Sequence, residues 1–344
     1  MSARRVLVVG AGRRVREAAL PALQRASDAF RVQRIYARSA RVLECGGVEY
    51  EVAPLQQLTA SDLAGADLVY LAVGKDAVPR ALQALCRFDT SRVELLIDTP
   101  VLRFKHFRHV RLARAFRATW VAEDCTRLPW FDAVRQPAAR EHLGALRSVT
   151  FFHSAYAYHG IATAKALLES PRVISGKRRR LSSAAAERRL TLAGGRSARI
   201  LEPRDYATGR VLLEGARGSI ADFADEGGGH SLLRPRVEAG VCTGFEVGDA
   251  RTELSAAERE LMAGVAPGAS VTALMEPMKR VGFLRLLRDI ACGKGAYPMD
   301  DALDDMVVDY HLEKLGRYVA NPFTSYRSPL ARALIATLSR ASRS

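Results

Sequence analysis

Three short stretches of this sequence combine residue types and spacings that could do chemistry. The first is Val6-Leu7-Val8-Val9-Gly10-Ala11-Gly12, an apolar run that ends abruptly in a glycine pair. Gly10 permits a tight turn and Gly12 a close backbone approach, so the N–H groups that open the next helix would face an anion such as a nucleotide phosphate. A full G-x-G-x-x-G pattern would put glycine at position 15, where this chain has Val15. The strand-before, helix-after context therefore carries the dinucleotide reading, and the alternative is a plain strand–turn–helix with no ligand. The second stretch is Ala37-Arg38-Ser39, which follows the next apolar run. A carboxylate there would accept from the ribose hydroxyls of NAD, whereas Arg38 offers a planar fork and Ser39 a hydroxyl to a 2′-phosphate. NADP is thus favoured over NAD, with Arg13 in the glycine turn as a second cation; a solvated loop arginine is the plainer account of Arg38. The third is Tyr156, Tyr158, His159 and Lys165. Hydride transfer to a carbonyl or imine carbon requires a proton donor at the heteroatom. His159 is the first candidate because imidazole titrates near neutral pH, and Tyr158 the second; a histidine beside aromatics also serves as a purely structural hydrogen-bonding residue.

These residues need elements to hold them. Arg14–Gln24 carries apolar residues at helical spacing, with Pro21 as an internal irregularity. Strands are expected over Phe30–Ala37, Val48–Val52 (alternating, as at an edge), Asp67–Val73 ending at Gly74, and Val93–Asp98 stopped by Thr99-Pro100, with a helix over Val78–Cys86. This alternation predicts a doubly wound parallel sheet, an α/β Rossmann domain over residues 1–122. Beyond about residue 145 come short alternating strand candidates without helices between them: Arg147–His153, Ala198–Glu202, Arg210–Glu214, Gly218–Phe223, Pro235–Val241 and Gly244–Val247. They predict an α+β C-terminal domain over 123–344 with an open antiparallel sheet. Helices over Met278–Cys292 and Asp300–Val319 would close it or pack back on the first domain, and residues 320–344 would pack loosely or fray.

With 344 residues, two domains are expected. No segment holds the ~20 continuous apolar residues of a membrane helix. Met1–Arg5 runs straight into the first strand, so a cytoplasmic protein is expected. Five scattered cysteines without a C-x-x-C pair fit a reducing compartment and argue against a zinc site. Lysine and arginine outnumber acids 52 to 37, a formal charge of +15 that would attract phosphates or acidic metabolites. Arginine- and alanine-rich composition accounts for much of that excess, so a nucleic-acid role is not favoured, and Lys177–Arg180 reads as a solvated loop. Glu123-Asp124 could orient a substrate but is better read as a helix cap, Gly227–His230 as a turn, and Trp120 and Trp130 as core.

The order of elements, with Leu20-Pro21-Ala22-Leu23 in the first helix and Leu287-Arg288-Asp289-Ile290-Ala291, Gly293-Lys294-Gly295 and Pro298-Met299-Asp300-Asp301-Ala302 near the end, resembles the Gfo/Idh/MocA (glucose-fructose oxidoreductase / inositol dehydrogenase) family. The resemblance implies an NAD(P)-dependent oxidoreductase acting on a small metabolite, acidic or carrier-linked, in a homo-oligomer. It also marks departures. Where the family has Glu-Lys-Pro after the fifth strand this chain has Asp98-Thr99-Pro100, so Thr99 replaces a lysine that helps hold substrate and nicotinamide. Where the family has Thr-Pro-x-x-x-His, this chain has Val73-Gly74-Lys75-Asp76-Ala77-Val78. His159 stands near the histidine of the family's Asp-x-x-x-His, with Ala155 in place of the acid. Asp98, Thr99, Tyr158 and His159 are the implied catalytic candidates; Gly10, Gly12, Arg13, Arg38, Ser39, Val73 and Gly74 are those for the cofactor. Loss of the lysine fits a reductase of specialised metabolism, of the thiazolinyl imine reductase kind, or a cofactor-binding regulatory or scaffold protein without turnover.

Overall fold

A computed structural model describes residues 2–224 and 229–341. Two compact units divide the chain: Met1–Glu123 with Phe283–Met306 and Ser325–Ser344, and Asp124–Gly282 with Val307–Thr324.

The first unit is built on β1 (Arg4–Val9), β2 (Phe30–Ala37), β3 (Arg41–Cys45), β4 (Val48–Pro54), β5 (Leu68–Leu71), β6 (Glu94–Ile97) and β7 (Ala118–Val121). In space they run β7-β6-β5-β1-β2-β4-β3, with Tyr297–Pro298 added antiparallel beside β7. The neighbours from β7 to β4 are all parallel. Val6 to Val9 are fully buried, as expected of a strand covered on both faces. β4 is not the edge strand its alternation suggested. Gly46 and Gly47, at φ +57° and +74°, form a two-residue turn of the kind that closes tight hairpins, and β3 folds back to take the edge.

The first helix absorbs Pro21 by changing its winding. Val15–Ala19 is a π segment in which the Leu20 N–H reaches the Val15 carbonyl, and an α segment, Leu20–Arg25, restarts with Pro21 in its first turn, where no N–H is needed. Among the described residues, the segment after 320 is packed rather than loose. Helix Pro329–Ala341 lies against the 3-10 turn Phe104–His109, Ala331 and Ile335 are buried, and Tyr326 meets Phe107 edge-on at 5.6 Å. The Asp304 carboxylate fixes the approach by accepting from the Tyr326 N–H at 2.8 Å.

The second unit carries β8 (Leu146–Phe152), β9 (Val173–Arg180), β10 (Ala186–Leu192), β11 (Ser197–Glu202), β12 (Arg210–Gly215), β13 (Ser219–Ala221), β14 (Ser231–Glu238), β15 (Val241–Val247) and β16 (Ala250–Glu253). Their order is β16-β15-β14-β13-β12-β8-β11-β10-β9, with Arg317–Val319 beyond β9. The sheet is mainly antiparallel, β8–β11 and β13–β14 being parallel pairs. Lys177–Arg180 belongs to β9 rather than to a loop, and the neighbouring β10 has no counterpart among the expected strands. Both strands are too arginine-rich to read as sheet by hydropathy; they pair with each other, Glu187 meets Arg189 of β10 and Arg199 of β11, and Glu313 meets Arg178 of β9. The last long helix stops at Leu315, four residues short of expectation, because Gly316 at φ +71° turns the chain into the Arg317–Val319 strand. No helix among the described residues is long and apolar enough to cross a membrane.

Candidate functional site

In the first unit, the end of β1 is shaped by glycine out of necessity. Gly10 adopts φ +127°, and a Cβ there would fall 1.9 Å from the Ala72 carbonyl oxygen, inside β5's exit. Its N–H donates to the Tyr36 carbonyl at 2.7 Å, tying the turn to β2 as well. Gly12 and Gly74 differ: a Cβ on either would meet nothing within 4 Å, so the surface over the turn is open. Around that opening stand cations. Arg13 is exposed and 3.6 Å from Glu17, and Arg38 and Ser39 are exposed just past β2. Arg41, which the sequence reading did not single out, reaches back from β3 to donate to the Ala11 carbonyl at 2.6 Å. No carboxylate occupies positions 37–39. The turn is open at Gly12 and Gly74, and a strand end of this kind leaves backbone N–H groups free to meet an anion.

Asp98 follows β6, with its N–H on the Leu71 carbonyl at 2.8 Å. Its carboxylate accepts from Arg14 Nε at 3.1 Å, and the Arg14 guanidinium also covers the Phe283 ring at 5.4 Å. Tyr70 sits beneath, edge-on to Phe283 at 5.1 Å; burial and then the Asp98 charge hold its phenol well above the ordinary tyrosine value. Asp98 is therefore part of a half-buried ion pair. Thr99 is half-buried and leads into a cis peptide bond to Pro100.

In the second unit, His159 lies in the first turn of helix Ala157–Leu167. Its ring is 4.1 Å from that of Tyr158 and 5.0 Å from that of Tyr156. Ala157, at φ +47°, donates its N–H to Glu202 Oε1 at 2.9 Å, and Arg188 grips the other oxygen at 3.0 Å. Glu202 thus orients the start of this helix, in the absence of an acid at position 155. Lys165 is buried six residues further along. His159, Cys125, Tyr156, Trp130 and Tyr206 line a mostly apolar cavity of about 10 Å³, room for about one water. The Cys125 sulfur and a His159 ring nitrogen are within 4.8 Å of each other.

Beside this cavity lies a group that the sequence analysis did not find. Tyr206 has the Lys279 ammonium 4.8 Å from its ring centre and the Arg204 guanidinium 5.0 Å from it, and Arg204 is also 4.4 Å from the Tyr156 ring. Lys279 is only 13% exposed and has Glu276 Oε1 at 3.5 Å. Burial opposes its charge, yet Cys125, Tyr206, Asp124 and Glu276 together hold its pKa above the ordinary lysine value. Asp124 is buried where the chain meets the helix Met275–Ala291; a Cβ on Gly282 would come within 2.4 Å of its carbonyl. Trp130 is 2% exposed in the second unit, a core residue as expected, whereas Trp120 is only half-buried against Gly295 in the first. Ser219 hydrogen-bonds His230 Nδ1 at 2.6 Å; Gly227 and Gly228 lie outside the described residues.

No protein-family model and no curated protein matches the chain. Solved structures do. A scyllo-inositol dehydrogenase from Lactobacillus casei aligns over 95% of this chain and 99% of its own, with TM-score 0.60 and 9% identity. An oxidoreductase from Agrobacterium radiobacter, in complex with NAD+, L-tartaric acid and magnesium, aligns over 92% and 98%, with TM-score 0.59 and 12% identity. A super-repressor mutant of Gal80p from Saccharomyces cerevisiae aligns over 95% and 99%, with TM-score 0.62 and 11% identity. The chain has the Gfo/Idh/MocA fold. Within this Gfo/Idh/MocA fold the glycine turn was legible because strand, turn and helix are contiguous. Lys279, the Arg204–Tyr206 loop and Cys125 come from three separated segments, so no contiguous stretch of sequence announces them.

Proposed function

We propose that this protein is an NADP-dependent oxidoreductase that moves hydride between a nicotinamide and a carbonyl, alcohol or imine carbon of a small metabolite. The observation that carries the reading is the β1 turn: Gly10 excludes any side chain, Gly12 is open above, and Arg38 stands where a carboxylate would select NAD. A bound dinucleotide would supply the hydride. Gly10 and Gly12 would bring backbone N–H groups to its diphosphate, and Arg38, Ser39 and Arg13 would hold the 2′-phosphate. Arg41 fixes the turn through Ala11, while Val73 and Gly74 border the opening after β5. A dinucleotide on this fold is supported by the Agrobacterium radiobacter oxidoreductase, described in complex with NAD+.

The second unit offers the proton. His159 is poised by its stacking on Tyr158 and by the Glu202–Ala157 bond to hydrogen-bond the reacting heteroatom. Arg204 and Lys279 favour a substrate carrying a negative group, whether a free acid or one linked to a carrier. The proposal includes a cytoplasmic homo-oligomer. Substrate-dependent oxidation of NADPH tests it, with His159→Asn expected to slow turnover about 10²-fold while nucleotide binding persists.

A second reading, a nucleotide-binding regulator without turnover, is favoured by one pairing: Arg14 holds Asp98, and Thr99 carries no charge beside it. The Gal80p neighbour, described as a super-repressor mutant, accords with it. NADPH binding without oxidation by any aldehyde, ketone or imine would select this reading.

A further inference from the structure

We propose that the open face of the second unit's sheet binds a small polyanion, a run of linked phosphates, at a site separate from the dinucleotide turn. The register of the sheet carries the inference. Arg317 lies across from Lys177, Lys177 from Arg189 and Arg189 from Arg199, so one line across four strands presents four consecutive cations. Cβ atoms of such cross-strand partners are about 5 Å apart, and like charges placed so close destabilise a sheet. Two residues along, on the same face, runs a line of hydroxyls: Ser175, Thr191, Ser197 and Ser148. The alternate residues turn the other way, where Leu190, Ala198, Ile200 and Tyr318 are buried.

The acids on this face leave the line of cations in excess. Glu187 is shared between Arg189 and Arg199, and Glu214 accepts from the Ser148 hydroxyl at 2.6 Å. Arg179, across from Glu187, adds a fifth cation to the face. Among the described residues no ion pair engages Lys177 or Arg317, and both are exposed. The four cations and the hydroxyls line a cleft of about 710 Å³, within the size range of small-molecule sites. Guanidinium forks, an ammonium and hydroxyls are donors to phosphate oxygens. A regular line of cations suits a linear run of charges, which linked phosphates supply and a single carboxylate does not. A second copy of this chain fits poorly, because a twofold pairing through this face would set like charges against like.

Calorimetric titration of the full chain with tripolyphosphate tests the proposal. The wild type should bind it, with affinity falling as salt rises. Lys177→Gln combined with Arg317→Gln should weaken binding about tenfold or more, with a melting temperature no lower than the wild type's, since a like-charge contact is removed. Arg38→Asp should bind tripolyphosphate within about twofold of the wild type. ATP, titrated in parallel, names the source of the phosphates: comparable affinity supports a site for free polyphosphate, and affinity more than about tenfold tighter supports one for a nucleoside triphosphate. No binding, or binding that survives the double substitution, overturns the proposal. So does binding lost in Arg38→Asp, which moves the phosphates to the glycine turn. Tighter binding of a single-stranded oligonucleotide, or a wild-type dimer that Thr191→Arg converts to monomer in sedimentation, shows a different occupant and overturns it as well. The oxidoreductase reading stands or falls separately, on binding and oxidation of NADPH.

Discussion

β1 places four consecutive aliphatic side chains, Val6 to Val9, completely out of water, whereas β10 buries Glu187 and Arg188 side by side at 2% and 3% exposure. The first arrangement needs no partners beyond the backbone ladder. The second must supply them: Arg188 contacts Glu202 at 3.0 Å, Asp309 at 2.5 Å and Glu313 at 3.2 Å, and Glu187 is held by Arg189 and Arg199. The first unit thus spends its sequence on a generic sheet and concentrates specificity in one glycine turn. The second builds specificity into the sheet itself, where a buried charge network sets the position of Glu202, and Glu202 sets the start of the His159 helix.

That contrast breaks most severely at Gly10. Gly10→Ala would drive a Cβ into the Ala72 carbonyl at a φ of +127°, and a loss above about 4 kcal/mol, or failure of the first unit to fold, is expected in thermal melts. In the second unit, Arg188→Ala removes the buried cation shared by Glu202 and Asp309 and should cost about 3–5 kcal/mol by urea unfolding, while Arg188→Met combined with Glu202→Gln should cost clearly less. Arg188→Ala should also impair turnover through Ala157, whereas surface arginines on β9 should not. The balance of the two units is sharpened by Arg38→Asp, expected to weaken NADPH binding about 10- to 100-fold and leave stability unchanged.

The smallest effect is on acid stability. Burial lowers the pKa of His311, so the unfolded chain takes up its proton first as pH falls. Its contribution is complete above the unfolded value of about 6.5 and is lost as pH falls from there through the lower folded value. His311→Phe should therefore flatten the decline in melting temperature between about pH 6.5 and 5.

The same contrast explains what could be read from the residues alone. β1, β2, β5, β6 and their glycine turn announce themselves through contiguous apolar runs, and Phe30–Ala37 matches its expected bounds. β3 escaped because its exposed alternation looks like loop, although Gly46-Gly47 carried the hairpin signal. β9 and β10 escaped because their charges are neutralised by partners distant in sequence, such as Asp309 and Glu313. The terminal helix escaped because its burial depends on Phe107, more than 200 residues away. His159 was legible as a residue type beside aromatics, but the Lys279–Tyr206 pair exists only once the chain has folded.

The most direct measurement of the central claim is a fluorescence titration of the wild-type protein with NADPH and NADH under identical conditions. NADPH should bind at least about tenfold more tightly, and Arg38→Asp should erase or reverse the preference. Equal affinity for the two nucleotides, tighter NADH binding, or no binding of either would contradict it.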